Sequence, residues 1–251
     1  MKKMNHITIL AALFFALSFN AYSADGGKGD AVAGEEQQAL NTLTKKEKQE
    51  GWKLLFDGVS IKNWKTFNGG KKVEGWKIVD GILYNSGEGS DHGGDIITKK
   101  QYDNFELSLE WNISPLSNSG IFIRAQENIV NTIYKTAPEY QLSDDIGITR
   151  KREKYQFTAA CYGMYETEGA AINPPGEWNT SRLVVNGAHV EHWLNGKKVV
   201  EYELWSQDWK ERKAKSKWKD EPYYGMAKKG HVGLQDHGGL TRFRNIKIKK
   251  L

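Results

Sequence analysis

The sequence predicts an all-β protein built as a sandwich of two packed antiparallel sheets. Three observations lead to this prediction. Short runs of alternating apolar and polar residues recur along most of the chain, and glycine-containing turns separate them. Two Asn-Gly pairs stand nine residues apart, each between strand-forming residues. Helical periodicity is almost absent, and many short strands without intervening helices favour a β-sandwich.

The first 23 residues are typical of a secretory signal peptide. Lys2 and Lys3 precede an apolar run over residues 7–19, and residues 21–23 have the small-x-small form of a cleavage site. The apolar run is too short for a convincing membrane-spanning helix. We therefore expect a periplasmic or secreted protein without a membrane span. Loss of the two lysines lowers the formal charge from +5 to +3, and such a mildly basic exported chain is not expected to bind nucleic acid.

Residues 24–50 are predicted to form a flexible, glycine-rich leader followed by a short helix. Thr42 or Thr44 can cap this helix, and a glycine can end it. Residues 51–251 then form a single β-sandwich domain, which is long enough to bury a substantial core. The single cysteine, Cys161, allows no internal disulfide, so packing alone must stabilise the fold.

Turn chemistry defines the clearest strands. Asp-Gly at residues 80–81 lies between two apolar runs and predicts a hairpin. Asn-Gly pairs at residues 186–187 and 195–196 predict a three-stranded antiparallel meander, because Asn-Gly accepts the positive φ angles of two-residue turns. The last strand is predicted near the C-terminus, in the stretch TRFRNIKIKKL.

One segment departs from the alternating pattern. Residues 208–224 are highly charged and lack strand periodicity. They are interpreted either as a solvated surface insertion or short helix, or as a lid in which Trp209 or Trp218 covers a ligand. The nine tryptophans of the chain have two similar interpretations. Most suit core packing, while exposed ones would offer flat surfaces on which sugars stack.

Polar residues two apart on a strand share one face, and several predicted strands carry such sets. Glu139 and Gln141 form one pair, although a solvated outer face explains such a pair simply. Gln235 and His237 form another, just before two glycines that let a substrate approach the backbone. His192 alternates with apolar residues, which favours a hydrogen-bonded core histidine over a ligand.

Two charged residues and a metal complete the candidate site. Arg124 closes the stretch GIFIR and would bring positive charge to the same groove. Asp144 follows EYQLS, where turn formation alone would explain one of the two aspartates. The residue types present can ligate a divalent metal, but their spacing is not specific. The candidate metal ligands are Glu139, Gln141, His192 and His237. No P-loop, nucleophile-elbow or zinc-protease motif occurs, and no nicotinamide site is expected.

A further set of motifs follows in order along nearly all of the mature chain. They are GWKLLFDGVSIKNW (51–64), GWKIVDGILY (75–84), YDNFELSLEW (102–111), SNSGIFIR (117–124), PEYQLSDD (138–145), YGMYE (162–166), PPGEWNTSRLVVNGAHVEHWLNG (174–196), and GHVGLQDHGG with FRNIKIK (230–249). Together they closely resemble the bacterial 3-keto-disaccharide hydrolase family, formerly known only as a domain of unknown function. The resemblance implies a concanavalin A-like jelly-roll β-sandwich that acts on carbohydrate.

The resemblance also implies an unusual cleavage of the glycosidic bond. A partner sugar 3-oxidoreductase first oxidises the C3 hydroxyl to a ketone, which acidifies the C2 proton. A base then removes this proton, an enolate forms, the aglycone leaves by elimination, and water adds to give the free 3-keto sugar. Ordinary glycoside hydrolysis instead uses two carboxylates that flank an oxocarbenium-like centre.

Roles can be assigned by chemistry onto the matching motifs. His237 or Glu139 would be the base, and Arg124 or the metal would stabilise the enolate oxygen. The residues expected to bind or orient the sugar are Gln141, Asp144, Gln235 and Trp193. EYQLSD also resembles the E-x-D-x-x-E strand of laminarinase-like glycosidases, but Gln141 replaces the central acid, which disfavours a retaining mechanism. The alternatives are a sugar-binding module without catalysis and an ordinary glycosidase.

Overall fold

The computed structural model describes residues 39–70, 73, 75–85 and 94–251. The predicted signal peptide and most of the predicted leader lie outside these residues. The strands of the described part are β1 Lys53–Leu54, β2 Trp64–Thr66, β3 Trp76–Val79, β4 Ile82–Asn85, β5 Ile96–Thr98, β6 Phe105–Ile113, β7 Asn118–Ala125, β8 Glu139–Ser143, β9 Asn179–Asn186, β10 His189–Leu194, β11 Lys197–Glu203, β12 His231–Leu234 and β13 Thr241–Lys250. Its α-helices are α1 Lys45–Gln49 and α2 Gln207–Lys215, and short 3₁₀ turns occur at Ile133–Lys135 and Lys154–Gln156.

The strands form two antiparallel sheets, which confirms the predicted all-β sandwich. The larger sheet has the order β11-β10-β9-β6-β13-β4-β3, with β1 also paired to β13. The smaller sheet has the order β2-β5-β12-β7-β8. Strands distant in sequence, such as β6 and β13, are neighbours, as in wound β-sandwiches rather than simple meanders.

The core lies between the two sheets, and strand alternation decides which residues enter it. Along β6, every second residue is fully buried: Phe105, Leu107, Leu109 and Trp111. In β8, Tyr140 and Leu142 belong to this core. Because side chains alternate along a strand, Glu139 and Gln141 lie on the other side of the smaller sheet, which we call its outer face.

The predicted turns are largely confirmed. Thr44 caps α1 and forms a capping box with Glu47. The hairpin at residues 80–81 joins β3 to β4 as predicted. In the meander, His189 pairs with Asn186, so the first two-residue turn consists of residues 187–188, one position later than predicted. Gly187 takes the positive φ angle of 62° that this turn requires.

The charged segment 208–224 contains all of α2 except its first residue, and the helix begins after the N-cap Ser206. Trp209 and Trp218 are not solvated and do not cover a surface groove, because they are 1% and 2% exposed. Both rings stack on the buried Tyr224, at centroid distances of 5.8 Å and 4.5 Å. The short-helix interpretation is therefore confirmed, whereas the tryptophan-lid interpretation is wrong. No helix in the described part of the chain is long and apolar enough to cross a membrane.

Candidate functional site

A row of neighbouring residues crosses the outer face of the smaller sheet. Gly120 in β7 pairs with Gln141 in β8, and on its other side the Gly120 carbonyl accepts the Gln235 N–H at 2.9 Å. Asp95 immediately precedes β5. Because Leu234 pairs with Ile96 in this antiparallel register, Asp95 lies opposite Gln235. Since paired residues direct their side chains to the same face, the row brings Asp95, Gln235 and Gln141 together. Glu139, two residues before Gln141, lies on the same face.

Gly120 gives the Glu139 side chain the space to lie against the sheet. A Cβ atom at Gly120 would clash with Glu139 Oε1, at a separation that real side chains do not show. Gly120 does not have a positive φ angle. The glycine is therefore required for close approach and not for backbone conformation.

The carboxyl group of Glu139 has an unusual environment. Glu139 is only 5% exposed. Desolvation raises the pKa of its carboxyl to about 8, with an opposing effect from the positive charge of Lys217 and a further increase from the negative charge of Asp95. Among the described residues, no ion pair or side-chain hydrogen bond satisfies this carboxyl. A carboxyl with such a pKa exchanges its proton near neutral pH, which suits a general acid or base.

Two amide side chains flank Glu139 on this face. Gln141 Nε2 donates to Asn118 Oδ1 at 2.9 Å. Gln235 is 5% exposed, and its buried Oε1 accepts no hydrogen bond within the described part of the chain. An unpaired buried carbonyl is costly. Gln235 Oε1 is therefore a hydrogen-bond acceptor on this face that the described part of the chain leaves unused.

The outer face continues past β8 to Tyr162. The Tyr162 N–H donates to the Glu139 carbonyl at 3.0 Å. Lys217 Nζ lies 4.3 Å from the ring centre of Tyr162 and 4.3 Å from that of Trp218. The positive charge near Glu139 therefore comes from Lys217, in the segment just after α2.

Arg124 does not lie in this site, and its predicted role is wrong. Its Nε and Nη2 donate to the Asp103 carbonyl at 2.9 and 2.6 Å, and its Nη1 donates to the Gly187 carbonyl at 2.9 Å. A φ angle of 52° interrupts the regular alternation of β7 at this residue. Arg124 is 2% exposed and connects the loop before β6 to the β9–β10 turn, so its function is structural.

His192 is a core residue and is removed from the predicted metal set. It is 1% exposed, its Nδ1 lies 2.8 Å from the Ala159 carbonyl, and its ring centre lies 4.9 Å from that of Tyr140. It points inward from β10 of the larger sheet, whereas Glu139 and Gln141 lie on the outer face of the smaller one. The four predicted ligands are therefore not assembled.

Acidification is expected to destabilise the fold through His192. Burial lowers the pKa of His192 from 6.5 to about 4, so the unfolded state binds this proton more readily than the folded state. The contribution of neutral His192 is fully present above pH 6.5 and is lost progressively as the pH falls to about 4. At about 1.4 kcal/mol per pKa unit, this loss is on the order of 3 kcal/mol.

Urea unfolding of the wild type and His192→Gln at about pH 7.5 and about pH 4.5 measures this effect. The variant should lose less stability on acidification than the wild type. His189→Gln is the control, because a hydrogen bond to Glu203 raises the pKa of that surface histidine; its removal should not reduce the acid loss. If acidification lowers the free energy of unfolding equally in the wild type and in His192→Gln, His192 is not responsible for the loss of stability.

Asp144 orders a turn. Its carboxylate accepts the backbone N–H groups of Leu116, Ile146 and Gly147 at 2.8, 3.1 and 2.7 Å. Burial acts to raise the pKa of Asp144, but these backbone donors lower it below its usual value. The turn-forming interpretation of this aspartate therefore holds, and its predicted sugar-orienting role is not supported by its contacts.

Trp193 and His237 have different positions. Trp193 lies on the solvent side of the larger sheet, where the Arg182 guanidinium stacks 3.9 Å from its ring centre. Trp193 therefore lies outside this site, and its predicted contact with the sugar is not supported. His237 is exposed in the loop after β12. Burial raises the pKa of the adjacent Asp236, against smaller opposing effects from a backbone hydrogen bond of Gly238 and from His237. The role of His237 as a base stays a prediction.

Another group of potential metal ligands lies on the larger sheet. Ligand atoms of His189, Glu191 and Glu201 are within 4.8 Å of one another. Lys198 Nζ lies 2.6 Å from Glu201 Oε2 and 3.3 Å from Glu191 Oε1. A lysine thus already provides the cationic partner of these carboxylates, on the side of the sandwich away from Glu139.

Three residues of the site were missed by sequence reasoning. Asp95 ends the stretch SDHGGD, whose DHGG also occurs at residues 236–239; this repetition was a usable signal. Gly120 and Lys217 offered no comparable signal, because their roles depend on which side chains the sheet and the insertion bring near them.

The fold and site define a β-sandwich enzyme of the glycosyl hydrolase type, and comparisons with solved structures agree. One proposed glycosyl hydrolase from Parabacteroides distasonis ATCC 8503 is 40% identical, with a TM-score of 0.80, and the match covers 85% of this chain and 100% of that chain. A second from the same organism is 29% identical, with a TM-score of 0.64, and covers 80% and 99% of the two chains.

Sequence comparisons identify the family. A 3-keto-disaccharide hydrolase from Bacteroides thetaiotaomicron is 30% identical over 233 residues, which covers 80% of this chain and 79% of that protein. Residues 51–249 match the profile of the 3-keto-alpha-glucoside-1,2-lyase-like domain. The chain belongs to this family of carbohydrate hydrolases and lyases, as its motifs predicted.

Proposed function

We propose that this protein cleaves the glycosidic bond of 3-keto-disaccharides and related 3-keto-glycosides, with Glu139 as the base that removes the C2 proton. One observation carries the proposal: a buried carboxyl with a pKa of about 8 lies on a sheet face beside Gln235, whose Oε1 is buried and unsatisfied. The substrate class is supported by the name of the relative from Bacteroides thetaiotaomicron.

The proposed reaction is an elimination followed by hydration. The ketone at C3 makes the C2 proton acidic, and ionised Glu139 takes this proton. The electrons of the C2–H bond form the C2=C3 double bond of an enolate, whose negative oxygen is stabilised by the charge of Lys217 and an amide N–H of Gln141. When the C3 ketone re-forms, the C2=C3 electrons form a C1=C2 double bond, the C1–O bond breaks, and the leaving oxygen keeps its electron pair and takes a proton. Water then adds at C1 and a proton returns to C2.

The raised pKa of Glu139 suits this role. About a tenth of the carboxyl is ionised one unit below its pKa, but each ionised group is a stronger base than an ordinary carboxylate. The proposed kcat/KM therefore rises with pH up to the pKa of about 8. No step is assigned to a metal, since His192 does not reach this face.

The direct test compares a 3-keto-disaccharide with its unoxidised parent. Purified protein is incubated with each sugar, and monosaccharide release is measured. The proposal requires release from the 3-keto-disaccharide and none from the parent. Release from the parent alone would establish an ordinary glycosidase, and binding of either sugar without turnover would establish a sugar-binding module.

Gly120→Ala is expected to reduce kcat/KM on the 3-keto-disaccharide by about 100-fold, because a displacement of roughly 1 Å at the Glu139 carboxyl is costly. The added methyl group should change stability by only about 1–3 kcal/mol. Kinetics and thermal unfolding measure both effects. Gly70→Ala is the matched control, since nothing lies within 4 Å of its added Cβ. Equal kinetic losses in the two variants would contradict the close contact with Glu139.

We also propose that the protein is exported and works after a sugar 3-oxidoreductase. The C2 proton is acidic only after C3 has been oxidised, so an enzyme of that class must supply the substrate. The lysines, apolar run and small-x-small site at the N-terminus support export. N-terminal sequencing of the mature protein should find cleavage after Ser23, and an intact cytoplasmic N-terminus would exclude export.

A further inference from the structure

A cavity of about 330 Å³ opens beside Tyr162, between the loop around Tyr155 and the end of α2. The lining residues that matter here are Tyr155, Gln156, Tyr162, Arg212, Lys215 and Lys217. Of these residues, only Lys217 has a role in the proposed chemistry. The proposed chemistry therefore assigns no role to most of the cavity lining.

The cavity adjoins the strand that carries Glu139. Tyr162 is hydrogen-bonded to Glu139 through its backbone N–H, at 3.0 Å, and its side chain lines the cavity. Lys217 stands over the Tyr162 ring at 4.3 Å and also acts electrostatically on Glu139. A sugar bound over Glu139 would thus direct a substituent across the edge of β8 into the cavity.

The cavity is basic. Its lining contains three cationic side chains and no aspartate or glutamate. Arg212 is paired with Asp208 at 3.0 Å, but neither Lys215 nor Lys217 has an ion-pair partner among the described residues. The dipole of α2 explains basic residues in its last turn, whereas Lys217 lies beyond the helix end. Unpaired cations along one cavity attract a negatively charged ligand.

The cavity also offers aromatic surface. Tyr155 is 39% exposed, and the Tyr162 hydroxyl accepts a hydrogen bond from Gln156 Nε2 at 3.2 Å. Aromatic faces with nearby polar groups suit a ring that carries polar substituents. We infer that this cavity binds the aglycone of the 3-keto-glycoside and prefers an aglycone with a negatively charged group, an inference that rests on the proposed function.

The test uses two substrates that differ in one charge. They are the 3-keto-glucosides of 4-hydroxybenzoate and of 4-hydroxybenzamide, which have the same shape and a phenolic leaving oxygen. For the wild type, kcat/KM should be higher for the benzoate. In K215Q/K217Q the ratio of benzoate to benzamide kcat/KM should fall by about 10-fold, since two exposed cations each contribute a modest interaction.

Added salt should weaken the preference of the wild type. K210Q, on the same helix but outside the cavity lining, should keep the ratio of the wild type.

Binding separates this inference from the proposed function. Calorimetry with the unoxidised glucosides of the same two aglycones gives a Kd ratio that does not depend on turnover. A benzoate preference that K215Q/K217Q removes supports the inference even if neither 3-keto substrate is cleaved. Cleavage of both substrates with equal kcat/KM, or a preference that K215Q/K217Q leaves intact, overturns the inference while the proposed reaction stands.

Discussion

Replacement of Glu139 by glutamine is expected to lower kcat on a 3-keto-disaccharide by at least about 1,000-fold, within the range that a general base contributes. Glutamine has nearly the shape of glutamate but cannot take the C2 proton. The Gly120 contact and the position of the side chain on the outer face should persist, so substrate binding should change little. The loss should therefore appear in kcat rather than in KM.

The same substitution is expected to stabilise the fold. The folded carboxyl has a pKa of about 8 against 4.5 for an ordinary glutamate, so the folded state binds this proton more tightly than the unfolded state. Stability then falls as the pH rises from 4.5 to about 8. Glutamine removes this penalty, and at neutral pH the gain should be on the order of 3 kcal/mol, or roughly 10 °C in Tm for a chain of this size.

Kinetics and thermal unfolding at about pH 7 measure both changes. Glu191→Gln, on the other side of the sandwich, is the matched control and should alter neither quantity by much. An active Glu139→Gln enzyme would remove Glu139 from the chemistry. A variant that is inactive but also unfolded would show that the carboxyl is structural instead.

Arg124→Met is expected to have the opposite effect, with a large loss of stability and little change in chemistry. Methionine keeps much of the apolar volume but leaves the carbonyls of Asp103 and Gly187 without the guanidinium donors that now bind them. Buried acceptors without donors should cost about 3 kcal/mol in total, which corresponds to a decrease in Tm of roughly 10 °C.

At a temperature where Arg124→Met is folded, kcat/KM should stay within about 3-fold of the wild type, because the guanidinium does not reach the Glu139 face. Arg244→Met is the control. Its partly exposed ion pair with Glu110 should contribute only about 1 kcal/mol. A fully stable Arg124→Met protein with greatly reduced kcat would restore Arg124 to the active site.

The fold was largely predictable because local sequence rules and tertiary structure agree. The turn at residues 80–81, the capping box of Thr44 and the alternation along β6 all follow from short-range chemistry. The one-residue shift at Gly187 shows the limit of such rules: the Asn-Gly pair located the turn, but strand pairing decided which two residues form it.

The site was predicted only in part, for a physical reason. Alternation along the strands predicted that Glu139 and Gln141 share one face of their strand and that Gln235 lies on a polar face of another. In the structure all three side chains lie on the outer face of the smaller sheet. Alternation cannot show which side of which sheet a face belongs to, so His192 and Trp193 were wrongly grouped with Glu139. Arg124 was misplaced because one positive φ angle redirects its side chain, and the charge it was expected to supply comes instead from Lys217.

The central claim is that Glu139 takes the C2 proton of a 3-keto sugar. It is tested most directly by cleaving a 3-keto-disaccharide in deuterium oxide and locating deuterium in the product by NMR, with an enzyme-free incubation of the product as the background. Elimination and hydration predict solvent deuterium at C2 of the 3-keto sugar with the wild type, and neither cleavage nor enzyme-dependent exchange with Glu139→Gln. Cleavage by the wild type with the original hydrogen retained at C2 would contradict the proposed reaction.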